Sequence, residues 1–238
     1  MTLRRSALVT AVVAVVVTGV LVFVAADAGR HGEGTAARVQ PTAPAAGSPE
    51  AHPSVGTRVP PRWVRVRVGD ASYAVPRTWQ RRPAAERTAY REGGAVIAAG
   101  RGQALSWGND CRTDFAPVPG GWAVLPDPVA ATDAAGVAAA TAVAWARGYA
   151  GLPATKTLAA SPAREVRLAG GGRGLVAQVT VDTTDSANPC AGQRAELTAV
   201  ARQAGGRVVT LVVARYLDVR GAPGDAVYAA VLGSLRVG

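Results

Sequence analysis

Apolar and polar residues alternate one by one just after residue 61, which is the pattern of a strand with one buried face. The segment RWVRVRV puts three valines on one face and two arginines on the other: Val64, Val66 and Val68 against Arg65 and Arg67. Gly69 and Asp70 then supply a turn, and residues 72–75 bring the chain back. A β-hairpin is therefore predicted at the start of this region.

Similar stretches farther along the chain predict more strands: residues 88–92, 95–99, 103–107, 175–182, 197–201 and 207–216. A loop rich in Pro and Gly is predicted over 108–128, and Ala204-Gly205-Gly206 makes the last two strands a second hairpin. The segment VVTLVVA in the last strand is apolar on both faces, which is typical of a central strand.

Two helices are predicted from apolar stripes at a spacing of three to four residues. The first starts at the N-cap pair Thr132-Asp133 and ends at Gly148 or Gly151. Its other positions are largely Ala, which suits a helix lying close against a sheet, and its stripe is Val137, Thr141, Trp145, Tyr149 and Leu152. The second begins near Asp225, with the stripe Val227, Tyr228, Val231, Leu232 and Leu235.

The order of these elements is hairpins, helix, meander, helix. Strands dominate and the helices are set apart from them, which favours the α+β class. We therefore predict one domain over residues 62–238, with an antiparallel sheet packed by one mid-chain helix and one C-terminal helix.

The N-terminal region predicts a membrane anchor. Residues 7–26 are an apolar run without charge, and 20 residues of helix span about 30 Å, the thickness of the hydrocarbon core. Arg4 and Arg5 precede the run, so residues 1–6 are predicted to be cytoplasmic and the C-terminal domain extracytoplasmic. The alternative is a signal peptide cleaved near Ala26-Asp27-Ala28, which would release a secreted protein, although such apolar cores usually have about 7–15 residues.

Residues 27–61 predict a disordered linker. Ala, Gly, Pro, Ser and Thr dominate this segment, and no large apolar residue recurs with any period. Such a segment cannot bury enough apolar surface to offset the entropy of ordering it. Both histidines of the chain, His31 and His52, lie here and therefore have no fixed partners.

The net charge of +10 is uneven along the chain. Residues 62–91 contain two acids, Asp70 and Glu86, against eight arginines: Arg62, Arg65, Arg67, Arg77, Arg81, Arg82, Arg87 and Arg91. Near a membrane such a patch can hold anionic lipid headgroups or wall polymers, whereas nucleic acid is not expected there. The alternative is a solvated face in a chain whose composition favours Arg, since Lys156 is the one lysine.

Candidate contact residues follow from this patch. Aromatic and Arg residues gather where the second strand ends, and both types are enriched at binding surfaces. We therefore predict that a partner or an anionic surface contacts Tyr73, Trp79, Arg65, Arg67, Arg81 and Arg82.

The two cysteines, Cys111 and Cys190, could form a redox pair, part of a metal site or a disulfide. A zinc site needs about four ligands, and residues 62–238 offer two sulfurs and no histidine. A redox pair is usually a close C-x-x-C motif. Outside the cytosol, a disulfide between the two is the simplest outcome, and neither a metal nor another cofactor is expected.

Catalysis is not predicted, because the domain has no histidine to activate a Ser or Cys nucleophile. Paired carboxylates could hydrolyse glycosidic bonds, and the nearest pairs are Asp182 with Asp185 and Asp110 with Asp114. Each pair lies in or beside a turn, where Asp is common for backbone reasons.

The segment YAVPRTW, with Tyr73, Val75, Pro76 and Trp79, resembles the opening of PsbP-like domains, as do the Trp-bearing mid-chain helix and the closing AAVLGSLR. The cysteines in NDC and NPC resemble those of an uncharacterised family of tethered actinobacterial envelope proteins. Relatives with this fold include mycobacterial envelope lipoproteins of the LpqN and LpqT type, and the resemblance implies a binding or assembly module without catalytic residues. The chain differs from these lipoproteins in having no Cys directly after its apolar run that could carry a lipid.

These observations together predict a non-catalytic, membrane-tethered domain of the cell envelope that binds an unidentified protein partner or an anionic surface. One alternative is an envelope hydrolase that uses the Asp pairs. Another is a carrier of small molecules or lipids, which would need an apolar cavity between sheet and helix; the alanines of the helix argue against such a cavity.

Overall fold

A computed structural model describes residues 58–107, 118–153, 155–183 and 190–238. The predicted cytoplasmic segment, the apolar run 7–26 and most of the predicted linker lie outside these residues. Within them, no helix is long and apolar enough to cross a membrane.

The described chain is an α+β domain with antiparallel sheets and two helices. The strands are β1 Val64–Val68, β2 Ala71–Val75, β3 Gln80–Arg81, β4 Arg87–Glu92, β5 Ala95–Ser106, β6 Gly121–Pro126, β7 Arg164–Arg167, β8 Arg173–Asp182, β9 Arg194–Ala204, β10 Arg207–Tyr216 and β11 Arg236–Val237. The helices are α1 Ala134–Ala150 and α2 Asp225–Gly233.

Two sheets account for all of these strands. The large sheet has the order β3-β5-β6-β10-β9-β8-β7, with β4 also paired to β5, and the small sheet has the order β1-β2-β11. Every pairing is antiparallel. The predicted first hairpin and the hairpin of β9 and β10 are both confirmed.

The large sheet is the middle layer of the domain. Helix α1 packs on one of its faces, and α2 together with the small sheet packs on the other. Strand β10 is buried on both faces, as predicted: Val209, Leu211 and Val213 lie in the cluster with α2, whereas Val212 and Ala214 lie in the cluster with α1.

Helix α1 starts and ends as predicted. The Asp133 side chain accepts hydrogen bonds of 3.0 Å from the N–H groups of Ala135 and Gly136. Gly151 ends the helix at φ 62°, in the left-handed region that glycine tolerates best.

The buried face of α1 differs from the predicted stripe. Its buried residues are Ala138, Ala142, Trp145 and Ala146. Ala138 meets Ala177 and Ala201 of the sheet, so small side chains on both elements bring helix and sheet close together. Of the predicted stripe, Trp145 and Leu152 are buried, whereas Val137, Thr141 and Tyr149 are half-buried.

The predicted strand pattern is wrong in two places. Residues 95–106 form one strand instead of two, with an irregularity in its pairing to β6 at Gly102, whose φ is +60°. The predicted loop over 108–128 contains β6, a fully buried strand between β5 and β10. The short strands β3, β7 and β11 were not predicted from the sequence pattern.

Candidate functional site: an arginine-lined concavity

The small sheet presents a basic outer face because its side chains alternate. Val66 is buried, whereas Arg67 is exposed and Arg65 is half-buried, as the alternation of β1 predicts. Ser72 of β2 pairs with Arg67 on one side and with Arg236 of β11 on the other. Directly paired residues in an antiparallel sheet share a face, so Arg67, Ser72 and Arg236 form one row across three strands.

This row lies in a concavity of about 380 Å³. Arg65, Arg67 and Arg236 line it together with Ser72 and Asp70; the remaining lining residues are Gly69, Ala71, Val237 and Gly238. Two ends of the domain therefore meet in one site, because β1 is its first strand and β11 its last. We call this site the arginine concavity.

The arginine concavity carries uncompensated positive charge. The pKa of Arg65 is lowered, first by burial and then by the nearby charges of Arg236 and Arg67. Asp70 is the acid that lines the site, and its carboxylate is paired with Arg207 at the start of β10. Within the described part of the chain, none of the three lining arginines forms an ion pair with a carboxylate.

A polar hydrogen-bonding group lies between these charges. The Arg65 Nη1 group donates to the Ser72 hydroxyl over 3.2 Å. A hydroxyl that accepts this bond keeps its own proton for another acceptor. Three planar guanidinium groups beside one hydroxyl are well suited to an oxyanion, because Arg binds carboxylate and phosphate through two parallel N–H donors.

The two predicted aromatic contacts, Tyr73 and Trp79, lie in the core. Tyr73 is fully buried, and its hydroxyl, which has one proton to donate, lies 2.6 Å from the carbonyl oxygen of Gly102 and 3.1 Å from that of Ala123. Trp79 is 5% exposed and belongs to the same core cluster. Tyr73 is paired with Val66 on the inward face of the small sheet, so the prediction that a surface partner contacts these two residues is corrected.

The four predicted arginines separate into two groups. Arg65 and Arg67 line the concavity, whereas Arg81 lies on β3, at the edge of the large sheet, and Arg82 forms an ion pair of 2.5 Å with Glu86. Arg236 completes the concavity and was missed in the sequence. The available signal was the alternation in Leu235-Arg236-Val237, which is too short to predict a strand by itself.

The remaining predicted sites lie partly outside the described residues. Cys190 is buried, and no cysteine in the described ranges is free; because Cys111 falls outside them, its pairing with Cys190 stays a prediction. Asp182 is an exposed residue of β8, and Asp185, Asp110 and Asp114 are also outside. Over the residues that the structure describes, no group of three or more His, Cys, Asp or Glu side chains could hold a metal ion.

Comparison with known proteins gives a family and no activity. A family model described as a domain of unknown function, DUF8017, matches residues 56–238, which include every described strand and helix. No curated protein matches the chain.

Proposed function

Since the chain belongs to the DUF8017 family, a domain of unknown function, we propose a function from its geometry: it is a non-catalytic domain that binds anionic groups of the cell envelope through the arginine concavity. One observation carries this proposal. Arg65, Arg67 and Arg236 line the same concavity, and none of them forms an ion pair with a carboxylate of the described residues.

What distinguishes the arginine concavity is the grouping of three arginines around one site, since other exposed arginines such as Arg81 also form no ion pair within the ranges that the structure describes. Five arginines outside the site form ion pairs with carboxylates: Arg82, Arg87, Arg173, Arg207 and Arg215. The pKa of Arg65 is lowered by burial and then by repulsion from Arg236 and Arg67, which lie on the two sides of Ser72. A bound anion would remove this repulsion, which supports a binding role for the site.

The proposed setting is the outer surface of a membrane. The apolar run 7–26 would anchor the chain, and the linker 27–61 would separate it from β1 by roughly 30 Å on average if it behaves as a flexible coil. The resemblance to PsbP-like domains and to actinobacterial envelope proteins supports the same location. Tethering raises the local concentration of the domain at the surface, so weak contacts with anionic groups suffice for retention.

The two alternative functions find less support. The space between α1 and the large sheet, where a carrier would need its cavity, holds the alanine row and a cluster of aromatic rings that includes Trp122 and Trp145, with centroids 5.3 Å apart. For the hydrolase, one candidate carboxylate, Asp182, is an exposed residue of a strand. The arginine concavity, by contrast, lacks a carboxylate pair and contains three cations.

Vesicle binding tests the proposal. A soluble fragment that starts at residue 56 should bind vesicles containing anionic phospholipid and not vesicles of neutral phospholipid, and salt should weaken the binding. The double variant Arg67→Glu/Arg236→Glu should bind at least tenfold more weakly, because each basic residue near an anionic surface contributes about 1 kcal/mol.

The matched control reverses two arginines elsewhere. Arg81→Glu/Arg82→Glu changes the net charge by the same amount on the large sheet, and it should weaken binding less than the concavity variant. Circular dichroism should show that both variants remain folded. Equal losses in the two variants would mean that net charge alone attracts the vesicles, and the proposed site would be rejected.

A further inference from the structure

The residues that line the arginine concavity also indicate which kind of anion it binds. This inference rests on the proposed function, because it assumes that the site binds an anion. Three arginine side chains surround the site, and its one acidic side chain, Asp70, is already paired with Arg207. A ligand with a single negative charge would leave most of this positive charge uncompensated, whereas a phosphate monoester carries about −1.5 to −2 at pH 7.

The size of the concavity points beyond a bare phosphate ion. About 380 Å³ falls within the 300–1,000 Å³ that is usual for small-molecule sites. The part of the ligand outside the phosphate would meet Asp70, Ser72 and the backbone of Gly69 and Gly238. Carboxylate and carbonyl oxygens accept hydrogen bonds, so they suit hydroxyl groups on the ligand.

The lining also argues against a nucleotide. Its apolar members are Ala71 and Val237, and no aromatic side chain belongs to it. A nucleobase is usually held by stacking on an aromatic ring or on a guanidinium plane. Here the guanidinium groups are needed to bind the phosphate, so a nucleobase would have no planar group on which to stack.

We propose that the arginine concavity binds a phosphate monoester of a small polyol. The guanidinium groups of Arg65, Arg67 and Arg236 donate hydrogen bonds to the phosphate. The Asp70 carboxylate accepts a hydrogen bond from a hydroxyl group of the polyol. The phosphate could belong to a soluble polyol phosphate or to a lipid headgroup such as phosphatidic acid. The chemistry of recognition is the same for both sources.

Calorimetric titration of the full chain in an uncharged detergent tests this assignment. Glycerol 3-phosphate should bind at least tenfold more tightly than inorganic phosphate, because it adds the hydroxyl contacts. Citrate, which carries more negative charge than glycerol 3-phosphate but carries it on carboxylates, and adenosine monophosphate should each bind at least fivefold more weakly than glycerol 3-phosphate.

Variants tie the binding to the site. Arg236→Gln should weaken glycerol 3-phosphate binding at least tenfold, and Arg236→Lys should weaken it less, because Lys keeps the charge and loses the planar fork. Arg173→Gln, which changes an exposed arginine outside the lining, should leave the affinity within twofold. Asp70→Asn should reduce the preference for glycerol 3-phosphate over inorganic phosphate.

The pH dependence tests whether the phosphate dianion is the form that binds. The second phosphate pKa is about 6, so the affinity for glycerol 3-phosphate should fall several-fold between pH 7.5 and pH 5. Arginine stays protonated over this range, and the charged residues facing the ligand are Arg65, Arg67, Arg236 and the Asp70–Arg207 pair. The fall should therefore persist in Asp70→Asn, and methyl sulfate, whose charge is constant, should show no such fall.

The outcomes separate the two proposals. If citrate binds as tightly as glycerol 3-phosphate and Arg236→Gln abolishes both, the anion site stands and its selectivity for phosphate is wrong. If none of the probes binds more tightly to the wild type than to Arg236→Gln, the proposed function fails as well. Mixed micelles containing phosphatidic acid distinguish the sources: a lipid source is supported if they compete with glycerol 3-phosphate, and a soluble source if they do not.

Discussion

Replacing Arg215 by Met should destabilise the domain more than any change to its surface ion pairs. Arg215 of β10 is buried beneath α2, with a side chain 10% exposed. Its Nη2 donates to Glu196 Oε2 at 3.3 Å, its Nη1 donates to Asp225 Oδ1 at 2.6 Å, and its guanidinium lies 4.4 Å from the centre of the Tyr228 ring. One side chain thus joins β9, β10 and the start of α2.

The magnitude follows from what the substitution leaves behind. The Glu196 side chain is 6% exposed, and its Oε1 atom already has no hydrogen-bond partner. Met fills a similar volume but leaves this carboxylate buried without a cation. Removing one partner of a buried pair costs about 3–5 kcal/mol, a large part of the roughly 5–15 kcal/mol that stabilises an ordinary domain.

Urea unfolding followed by tryptophan fluorescence measures this loss. The control is Arg173→Met, because Arg173 pairs with Glu165 while their side chains are 72% and 57% exposed; it should cost less than about 1 kcal/mol. The double variant Arg215→Met/Glu196→Leu removes both charges and should recover most of the stability. A loss for Arg215→Met as small as that of the control would refute the reasoning, as would a double variant no more stable than the single one.

Three further predictions concern the core and the cysteines. Burial raises the pKa of all five tyrosines. Their contribution to stability should therefore be constant below about pH 10, the unfolded pKa, and should be lost as the pH rises above it. A tyrosinate signal at 295 nm that appears near pH 10 in the folded protein would contradict this. Ala142→Leu should lower the free energy of unfolding by about 1–3 kcal/mol or more, because Ala142 is fully buried on the side of α1 that faces the sheet. The control is Ala140→Leu on the exposed face of α1, which should change the free energy of unfolding by less than about 0.5 kcal/mol. Reduction should lower stability by roughly 4 kcal/mol if Cys111 and Cys190 are bonded, and thiol titration of the native protein should find no free thiol before reduction.

The accuracy of the sequence predictions depended on how local each signal was. The first hairpin, α1 and β10 carry long, regular patterns and clear turn or cap residues, and all three were predicted. Strand β6 was missed because its segment GWAVLP is buried on both faces and lacks alternation, and because Pro and Gly surround it. Its identity as a strand comes from pairing with β5 and β10, which are distant in sequence.

For the same reason, only the part of the candidate site that lies on β1 could be predicted from the sequence. The alternation of β1 already placed Arg65 and Arg67 on one face. Arg236 joins them only through the register of β11 against β2, which pairs it with Ser72, and a two-residue strand leaves no periodic signal. Tyr73 and Trp79 were assigned from residue type, although the alternation that exposes Arg67 also turns Tyr73 inward opposite Val66.

The meeting of the first and last strands in the small sheet has a consequence for biosynthesis. At 5–20 residues per second, a ribosome reaches Arg236 roughly 10–30 s after Arg67, and until then β2 has β1 beside it but not β11. A chain that is truncated before Arg236, or still being translated, would therefore present only two of the three guanidinium groups. If the proposed site binds its ligand as described, tight binding would require translation to have passed Arg236. The bound ligand would in turn hold β11 in place beside β2.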